Sequence, residues 1–178
     1  MNQKDTALVV IDVQEKLFYA MSEKEKLGEN LVKMVKSCRI LDIPIFFFEQ
    51  NKQGLGSTIS ELQPFVSQEN LFHKKSFSVK ENELFFSKLD LIGIKTILIC
   101  GIESHICVFQ SAITLNNRGY EIHLILDCIS SRRLTDRNIA ESRLALEGVY
   151  PSSSEMILFE IMKTCEHKSF KQILSVIK

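Results

Sequence analysis

Short apolar runs alternate along this chain with longer segments in which apolar residues recur every third or fourth position. The runs Thr6–Asp12 and Ile45–Glu49 come first, and Thr96–Gly101 and Glu121–Asp127 share their largely unbroken apolar character. Strands without polar alternation are typical of parallel sheets that helices cover on both faces. The pattern therefore predicts strands at these positions, with helices between them.

The intervening segments have the periodicity of amphipathic helices. Ser22-x-x-Glu25 has the form of a helix capping box, and apolar residues then recur at helical spacing through Leu41. Shorter strands are predicted at Asn70–Lys74 and Val149–Pro151. This alternation predicts a three-layer α-β-α Rossmann-like fold around a central, mostly parallel sheet of about six strands. Because no linker or repeat interrupts it, we predict a single domain over residues 1–178.

The carboxyl ends of the predicted strands carry reactive side chains. Ligands of such sheets bind at those ends, near the point where the strand order reverses. Asp12 ends the first strand, Lys74 and Lys75 end the third, and Cys107 opens the helix after the fourth. The sequence therefore predicts that an acid, a lysine and a thiol converge at one edge of the sheet.

Cys107 is the candidate nucleophile of this group. If Ser104 is the N-cap, Cys107 is the third helical residue, where the helix dipole and a nearby lysine would lower the thiol pKa and favour a thiolate. Asp12 could then accept the thiol proton or pass it to a leaving group. On spacing alone, each residue also has an ordinary interpretation: a buried cysteine, a turn-forming aspartate and a solvated lysine.

Composition narrows the range of partners. The chain has 22 Lys and Arg against 22 Asp and Glu, so its net charge is zero. Charge-driven binding to nucleic acid or to a membrane surface needs a basic surplus, so we expect neither partner and instead a small-molecule substrate. The five cysteines form no CxxC pair, and the N-terminus has no signal-peptide pattern, so a cytoplasmic protein with reduced thiols is expected.

Several motifs in chain order resemble the isochorismatase-like cysteine hydrolase superfamily. They are Leu8-Val-Val-Ile-Asp12-Val-Gln14, Lys74-x-x-Phe77-Ser78 and Gly101-Ile-Glu-Ser-His-Ile-Cys107-Val, followed by Asp127-Cys-Ile-Ser-Ser-Arg132 and Ser153-Ser-Glu155. Glu49-Gln50 followed by Gly54-Leu-Gly56 is similar to the isochorismatase-domain-containing proteins whose substrates are unassigned.

The resemblance implies a catalytic triad of Asp12, Lys74 and Cys107 that hydrolyses a small amide or related C–N bond through a thioester. It also implies a non-proline cis peptide bond between Ile102 and Glu103, with the backbone N–H groups of Glu103 and Cys107 as the oxyanion hole. No cofactor is implied, and a homo-oligomer is expected. The K-x-x-F-S spacing selects Lys74 rather than Lys75 as the triad lysine.

The predicted substrate-binding residues surround this triad: Gln14, Glu49, Gln50, Phe77 and His105. The chain departs from the metal-dependent nicotinamidases of the superfamily, which carry an Asp-x-His motif after strand two. Glu49-Gln50-Asn51 stands there instead, and the four histidines lack paired ligand spacing, so no metal ion is expected.

Two alternatives to an amide hydrolase stay open at this point. The chain could be a catalytically silent scaffold that acts through oligomerisation or protein binding. It could also cleave a vinyl ether such as isochorismate, although a cysteine at position 107 favours the hydrolase branch.

Overall fold

A computed structural model describes all 178 residues and shows a six-stranded, entirely parallel sheet with helices on both faces. The strand order is β3-β2-β1-β4-β5-β6, so the predicted Rossmann-like α/β architecture is confirmed. The strands are Thr6–Ile11 (β1), Ile45–Gln50 (β2), Leu71–Lys74 (β3), Thr96–Ile102 (β4), Glu121–Ser130 (β5) and Tyr150–Ser152 (β6).

Eight α-helices accompany the strands, and a π-helical turn, Ser104–Val108, precedes the fifth. Helices α2, α7 and α8 contribute to the core on one face of the sheet, and α4, α5 and α6 to the core on the other. The helices are Glu15–Phe18 (α1), Lys24–Ile40 (α2), Lys52–Leu55 (α3), Glu83–Leu91 (α4), Phe109–Asn117 (α5), Leu134–Leu146 (α6), Ser154–Met162 (α7) and Phe170–Ile177 (α8).

Strand β1 is buried along its whole length because it lies near the centre of the sheet. Its side chains alternate between two hydrophobic cores, with Leu8 and Val10 on the α2 side and Val9 and Ile11 on the α5 side. On the α5 side, the Phe85 ring packs edge-on against Phe48, with 4.9 Å between ring centroids. This double burial explains the unbroken apolar run in the sequence.

The strand order reverses at β1, since the chain proceeds outward through β2 and β3 and then returns to place β4 on the other side of β1. The carboxyl ends of β1 and β4 are therefore neighbours, with Ile11 in register with Gly101. This is the position where doubly wound sheets bind their ligands.

Gly101 makes the close approach of β4 to β1 possible. Its φ of +116° lies in a region that side chains rarely adopt, and a Cβ there would stand 2.1 Å from the carbonyl oxygen of Ile11. Only glycine fits this position without displacing one of the two central strands.

No helix of the structure has both the length and the apolar character needed to cross a membrane.

We expect Gly101→Ala to destabilise the protein by about 3 kcal/mol or more, because it adds backbone strain to a backbone clash. Gly93→Ala is the matched control: its φ is also positive, at +71°, but nothing lies within 4 Å of the added Cβ. Gly93→Ala should lower the free energy of unfolding by about 1 kcal/mol. Equal unfolding midpoints in urea for the two variants would contradict the close approach.

Candidate active site

Asp12 lies directly after β1 in a left-handed backbone conformation, with a φ of +49°. Its N–H donates to the carbonyl of Phe48 at 3.0 Å, which holds it against β2. The side chain is fully buried, and its Oδ1 atom has no hydrogen-bond partner. A buried carboxylate oxygen without a partner is costly, which marks Asp12 as a candidate functional residue.

Lys74, the last residue of β3, is the partner of Asp12. Its Nζ lies 2.6 Å from Oδ2 of Asp12, and it also donates to the carbonyls of Ser76 at 3.2 Å and Phe77 at 3.3 Å. All three ammonium hydrogens are thus used in a site where the lysine side chain is 3% exposed. Lys75 is exposed, so the structure brings Lys74 to Asp12, in the arrangement that the motif spacing selects.

Cys107 lies in the π-helical turn after β4 and packs into the α5-side core. The thiol is 5% exposed, and its Sγ lies 3.9 Å from Oε1 of Gln50. The helical segment does begin at Ser104, but as a π-helical turn that continues into α5 at Phe109. The expected N-cap is wrong: Glu103 has the N-cap position, and the Ser104 hydroxyl donates to the Ser130 carbonyl.

The peptide bond between Ile102 and Glu103 is cis. The Glu103 carboxylate is turned toward Arg132, where its Oε2 accepts from the backbone N–H at 3.1 Å and from Nε at 3.0 Å. Arg132 therefore holds the Glu103 side chain in place on the segment that leads to Cys107.

Burial dominates the electrostatics of the site. It raises the pKa of the Asp12 carboxyl above its ordinary value of 3.8, although Lys74 opposes the shift. Burial and then the Asp12 carboxylate raise the pKa of the Cys107 thiol to about 12, with Lys74 again opposing. The expectation that the helix start and Lys74 lower the thiol pKa is therefore wrong: the thiol pKa is raised, and the Asp12 carboxylate lies within interaction range of Cys107.

Gln14 belongs to the framework of the site. Its Nε2 donates to the carbonyls of Gln50 and Gly56 at 3.0 and 2.6 Å, and its Oε1 accepts from the Gln50 N–H at 2.8 Å. The residue is fully buried and also bridges to Thr58. Through these bonds Gln14 holds β2 and the loop after it. That Gln14 also binds substrate stays a prediction.

Glu49 faces the α2 side of the sheet, because it alternates with Phe48 and Gln50 along β2. Its Oε1 accepts from the backbone N–H and the hydroxyl of Thr58 at 2.7 and 2.9 Å. His73, which is paired with Glu49 across the sheet, has its Nδ1 3.9 Å from Oε2. Glu49 thus holds the loop through Oε1, while its Oε2 is buried without a hydrogen-bond partner. Its role in binding substrate stays a prediction.

The remaining predicted residues have different positions. Gln50 faces the thiol, as described above. Phe77 is 52% exposed, and its carbonyl accepts a hydrogen bond from Lys74. His105 hydrogen-bonds through Nδ1 to the Ser131 hydroxyl at 2.9 Å, and its Nε2 lies 3.9 Å from Asp136, so it is directed toward the start of α6. His105 therefore does not join the group around Cys107.

Thr58 is a site residue that the sequence did not reveal. Thr58 is not part of any of the sequence motifs. Its contacts with Glu49 and Gln14 form only when the loop after β2 folds back over β1. The nearby Gly54-Leu-Gly56 was the only local signal of a constrained loop.

A cavity of about 370 Å³ adjoins the site on the α5 side. Phe77, Phe109 and Ile113 form its apolar wall, and Lys80 is its charged residue. Its full lining is Ser76, Phe77, Ser78, Lys80, Phe109, Gln110, Ile113 and Thr114. No three His, Cys, Asp or Glu side chains converge anywhere in the structure to form a metal-ligand set.

Residues 6–156 match the model of the isochorismatase domain. The chain therefore belongs to the isochorismatase family. It is 33% identical over 177 residues to isochorismatase family protein 1B of Dictyostelium discoideum, covering 97% of this chain and 86% of that protein.

Isochorismatase domain-containing protein 1 of Danio rerio is 36% identical over 146 residues, which is 82% of this chain. This chain spans only 51% of that longer relative.

Solved structures agree with this placement. The MAR1 ribonuclease of Caenorhabditis elegans superposes with a TM-score of 0.90 at 29% identity, over 99% of this chain and 91% of that one. YcaC of Escherichia coli, described as an octameric hydrolase of unknown specificity, superposes with a TM-score of 0.92 at 17% identity, over 99% and 89% of the two chains. The similarity to the E. coli protein shows that the two chains share the same fold.

We expect Asp12→Asn to lower the pKa of Cys107, because it removes a carboxylate that raises this pKa and leaves the Lys74 ammonium unpaired. A decrease of one pKa unit makes the thiolate about tenfold more abundant below the pKa. Iodoacetamide should then label Cys107 about tenfold faster at neutral to mildly alkaline pH, as measured by peptide mass spectrometry.

Cys165 is the internal control for this labelling, since it is exposed and far along the chain from the site. Its rate should be unchanged, and in the wild-type protein it should exceed that of Cys107. An unchanged or slower Cys107 rate in Asp12→Asn would contradict the assigned electrostatics.

Proposed function

We propose that this protein is a cysteine-dependent hydrolase of small amides or related C–N compounds, with Cys107 as nucleophile, Asp12 as general acid and base, and Lys74 as the partner of Asp12. The observation that carries the proposal is the buried 2.6 Å ion pair between Asp12 and Lys74 within interaction range of the Cys107 thiol. A carboxylate held in this position can accept a thiol proton without solvent.

In the first step, Asp12 takes the proton from Sγ as the sulfur bonds to the substrate carbonyl carbon. The carbonyl π electrons move to oxygen, and the backbone N–H groups of Glu103 and Cys107 are proposed to stabilise that oxyanion. Asp12 then gives the proton to the leaving nitrogen, the C–N bond breaks, and a thioester and an amine result. Each well-aimed donor at an oxyanion can contribute about 3 kcal/mol.

In the second step, water resolves the thioester. Asp12, again ionised, takes a proton from the water as its oxygen attacks the thioester carbonyl. The C–S bond then breaks, and Asp12 returns the proton to the Cys107 sulfur as the carboxylic acid product leaves. The Lys74 ammonium, 2.6 Å from Oδ2, offsets the charge of Asp12 at each stage in which Asp12 is ionised.

One similar structure supports the choice of substrate class. YcaC of Pseudomonas aeruginosa, which shares the fold with a TM-score of 0.91 at 18% identity, is described with covalent acrylamide. Acrylamide is a small primary amide that forms covalent bonds with nucleophiles, so its chemistry fits a thiol nucleophile and an amide substrate.

We expect Cys107→Ala to lower kcat at least about a thousandfold on any amide that the wild type hydrolyses, because no other nucleophile lies at Asp12. Lys74→Met should lower kcat about a hundredfold, because it leaves the Asp12 charge buried and unpaired. Lys75→Met is the matched control, and its exposed side chain should leave kcat within about twofold. The measurement is a product assay over primary amides, N-carbamoyl compounds and cyclic imides.

The same assay separates the other functions. Pyruvate release from isochorismate would indicate vinyl-ether cleavage, and cleavage of an RNA oligonucleotide would indicate the activity for which the C. elegans relative is named. Hydrolysis that survives Cys107→Ala would overturn the mechanism. No turnover of any substrate would favour a scaffold, for which the octameric E. coli neighbour is the structural precedent.

The pH dependence follows from Asp12, which accepts a proton only when it is ionised. Because its pKa is raised above 3.8, activity should rise with pH through an acid limb that lies above 3.8. Lys74 lowers this pKa, so Lys74→Met should move the acid limb of kcat/KM to higher pH. An acid limb that does not move in Lys74→Met would show that another group controls it.

A further inference from the structure

The amide of Gln50 has a single possible orientation in this site. Its nitrogen donates to the carbonyls of Lys75 and Ser76 at 2.9 and 3.2 Å. Carbonyl oxygens only accept hydrogen bonds, so the NH₂ group must be on that side. The amide oxygen, Oε1, is therefore the atom that faces Cys107, at 3.9 Å from Sγ.

The backbone of Gln50 is held as firmly as its side chain. Gln14 accepts from the Gln50 N–H at 2.8 Å and donates to its carbonyl at 3.0 Å. The Ser76 carbonyl that accepts from the Gln50 side chain also accepts from Lys74. Gln50 thus presents an acceptor at a fixed place relative to the thiol and the Asp12–Lys74 pair.

Two acceptors compete for the one hydrogen of the Cys107 thiol. Sγ lies within hydrogen-bond range of Gln50 Oε1, which is neutral and cannot take the proton away, and it also interacts with the Asp12 carboxylate. Asp12, whose Oδ1 is buried without a partner, is the acceptor that can. A hydrogen bond from the thiol to Gln50 competes with transfer of its proton to Asp12.

We propose that Gln50 is a specificity-determining residue that accepts the N–H of an amide substrate and thereby releases the thiol hydrogen to Asp12. This inference rests on the proposed function and narrows its substrate class to primary and secondary amides. A compound without an N–H next to its carbonyl, such as an ester or a tertiary amide, leaves the thiol bonded to Gln50. The contact therefore couples substrate recognition to activation of the nucleophile.

The test compares two electrophiles that differ in this N–H. Iodoacetamide carries an NH₂ group, and N,N-dimethyliodoacetamide carries none. The alkylation rate of Cys107 is measured for each by peptide mass spectrometry, and each rate is divided by the rate of the same reagent with glutathione. In the wild type, the normalised rate of iodoacetamide is expected to be about five times that of N,N-dimethyliodoacetamide. A fivefold difference corresponds to one hydrogen bond of ordinary strength.

Two variants at Gln50 separate the acceptor from the general integrity of the site. Gln50→Met keeps the length of the side chain but removes the acceptor, so the ratio should fall by about fivefold. Gln50→Glu loses the donor to the Lys75 and Ser76 carbonyls but keeps an acceptor, so both rates should fall while the preference stays. Gln53→Met, at an exposed position on α3, is the matched control and should retain the wild-type ratio.

Three results would overturn the inference: a wild-type ratio near one, a preference that persists in Gln50→Met, or an equal loss of preference in Gln50→Met and Gln50→Glu. Alkylation needs no turnover, so the proposed function is judged separately by the Cys107→Ala assay. Cys107-dependent hydrolysis without an N–H preference overturns the inference alone. A preference without any Cys107-dependent hydrolysis overturns the proposed function alone.

Discussion

The buried ion pair between Asp12 and Lys74 joins two strands that are not neighbours, because β2 lies between β1 and β3. Removing one member would leave the other charge buried without a counterion, at a cost of about 3–5 kcal/mol. The pair is therefore stable only if the three strands keep their register and the carbonyls after β3 take up the remaining ammonium hydrogens. Hydrogen bonds in the loops around the site help to keep this register. Gln14 bonds to β2 from the segment after β1, and Glu49 bonds to Thr58 in the loop after β2.

The same burial sets the chemistry of the thiol. A low dielectric disfavours a thiolate at Cys107, and the nearby Asp12 carboxylate disfavours it further. The site therefore differs from cysteine enzymes that store a preformed thiolate at a helix N-terminus. In the proposed mechanism its nucleophile forms only when the proton is moved, and Asp12, the proposed acceptor for that proton, is already in place. Such a site keeps its cysteine unreactive in the absence of substrate.

Sequence patterns predicted the parts of this structure that depend on local order. The unbroken apolar strands defined the parallel sheet, and the rule that strand ends share one edge brought Asp12, Lys74 and Cys107 together. The predictions that failed concern features that depend on contacts between distant segments. Ser22 does not cap α2, because the Ser130 hydroxyl and the Ser131 carbonyl hydrogen-bond to its backbone, and Glu23 takes the N-cap position instead. Likewise, the thiol pKa follows from packing, which no spacing in the sequence describes.

The sheet order also has a consequence for how the chain reaches its native state. The acid, the lysine and the thiol come from β1, β3 and the turn after β4, and Asp12 and Lys74 are separated by 62 positions. Contacts of this sequence separation form late, since closing long loops costs entropy before any contact repays it. A nascent or partly folded chain accordingly holds its cysteine apart from its base. Protection of Cys107 from alkylation would then serve as a reporter of complete folding, appearing only when β4 has docked beside β1 through Gly101.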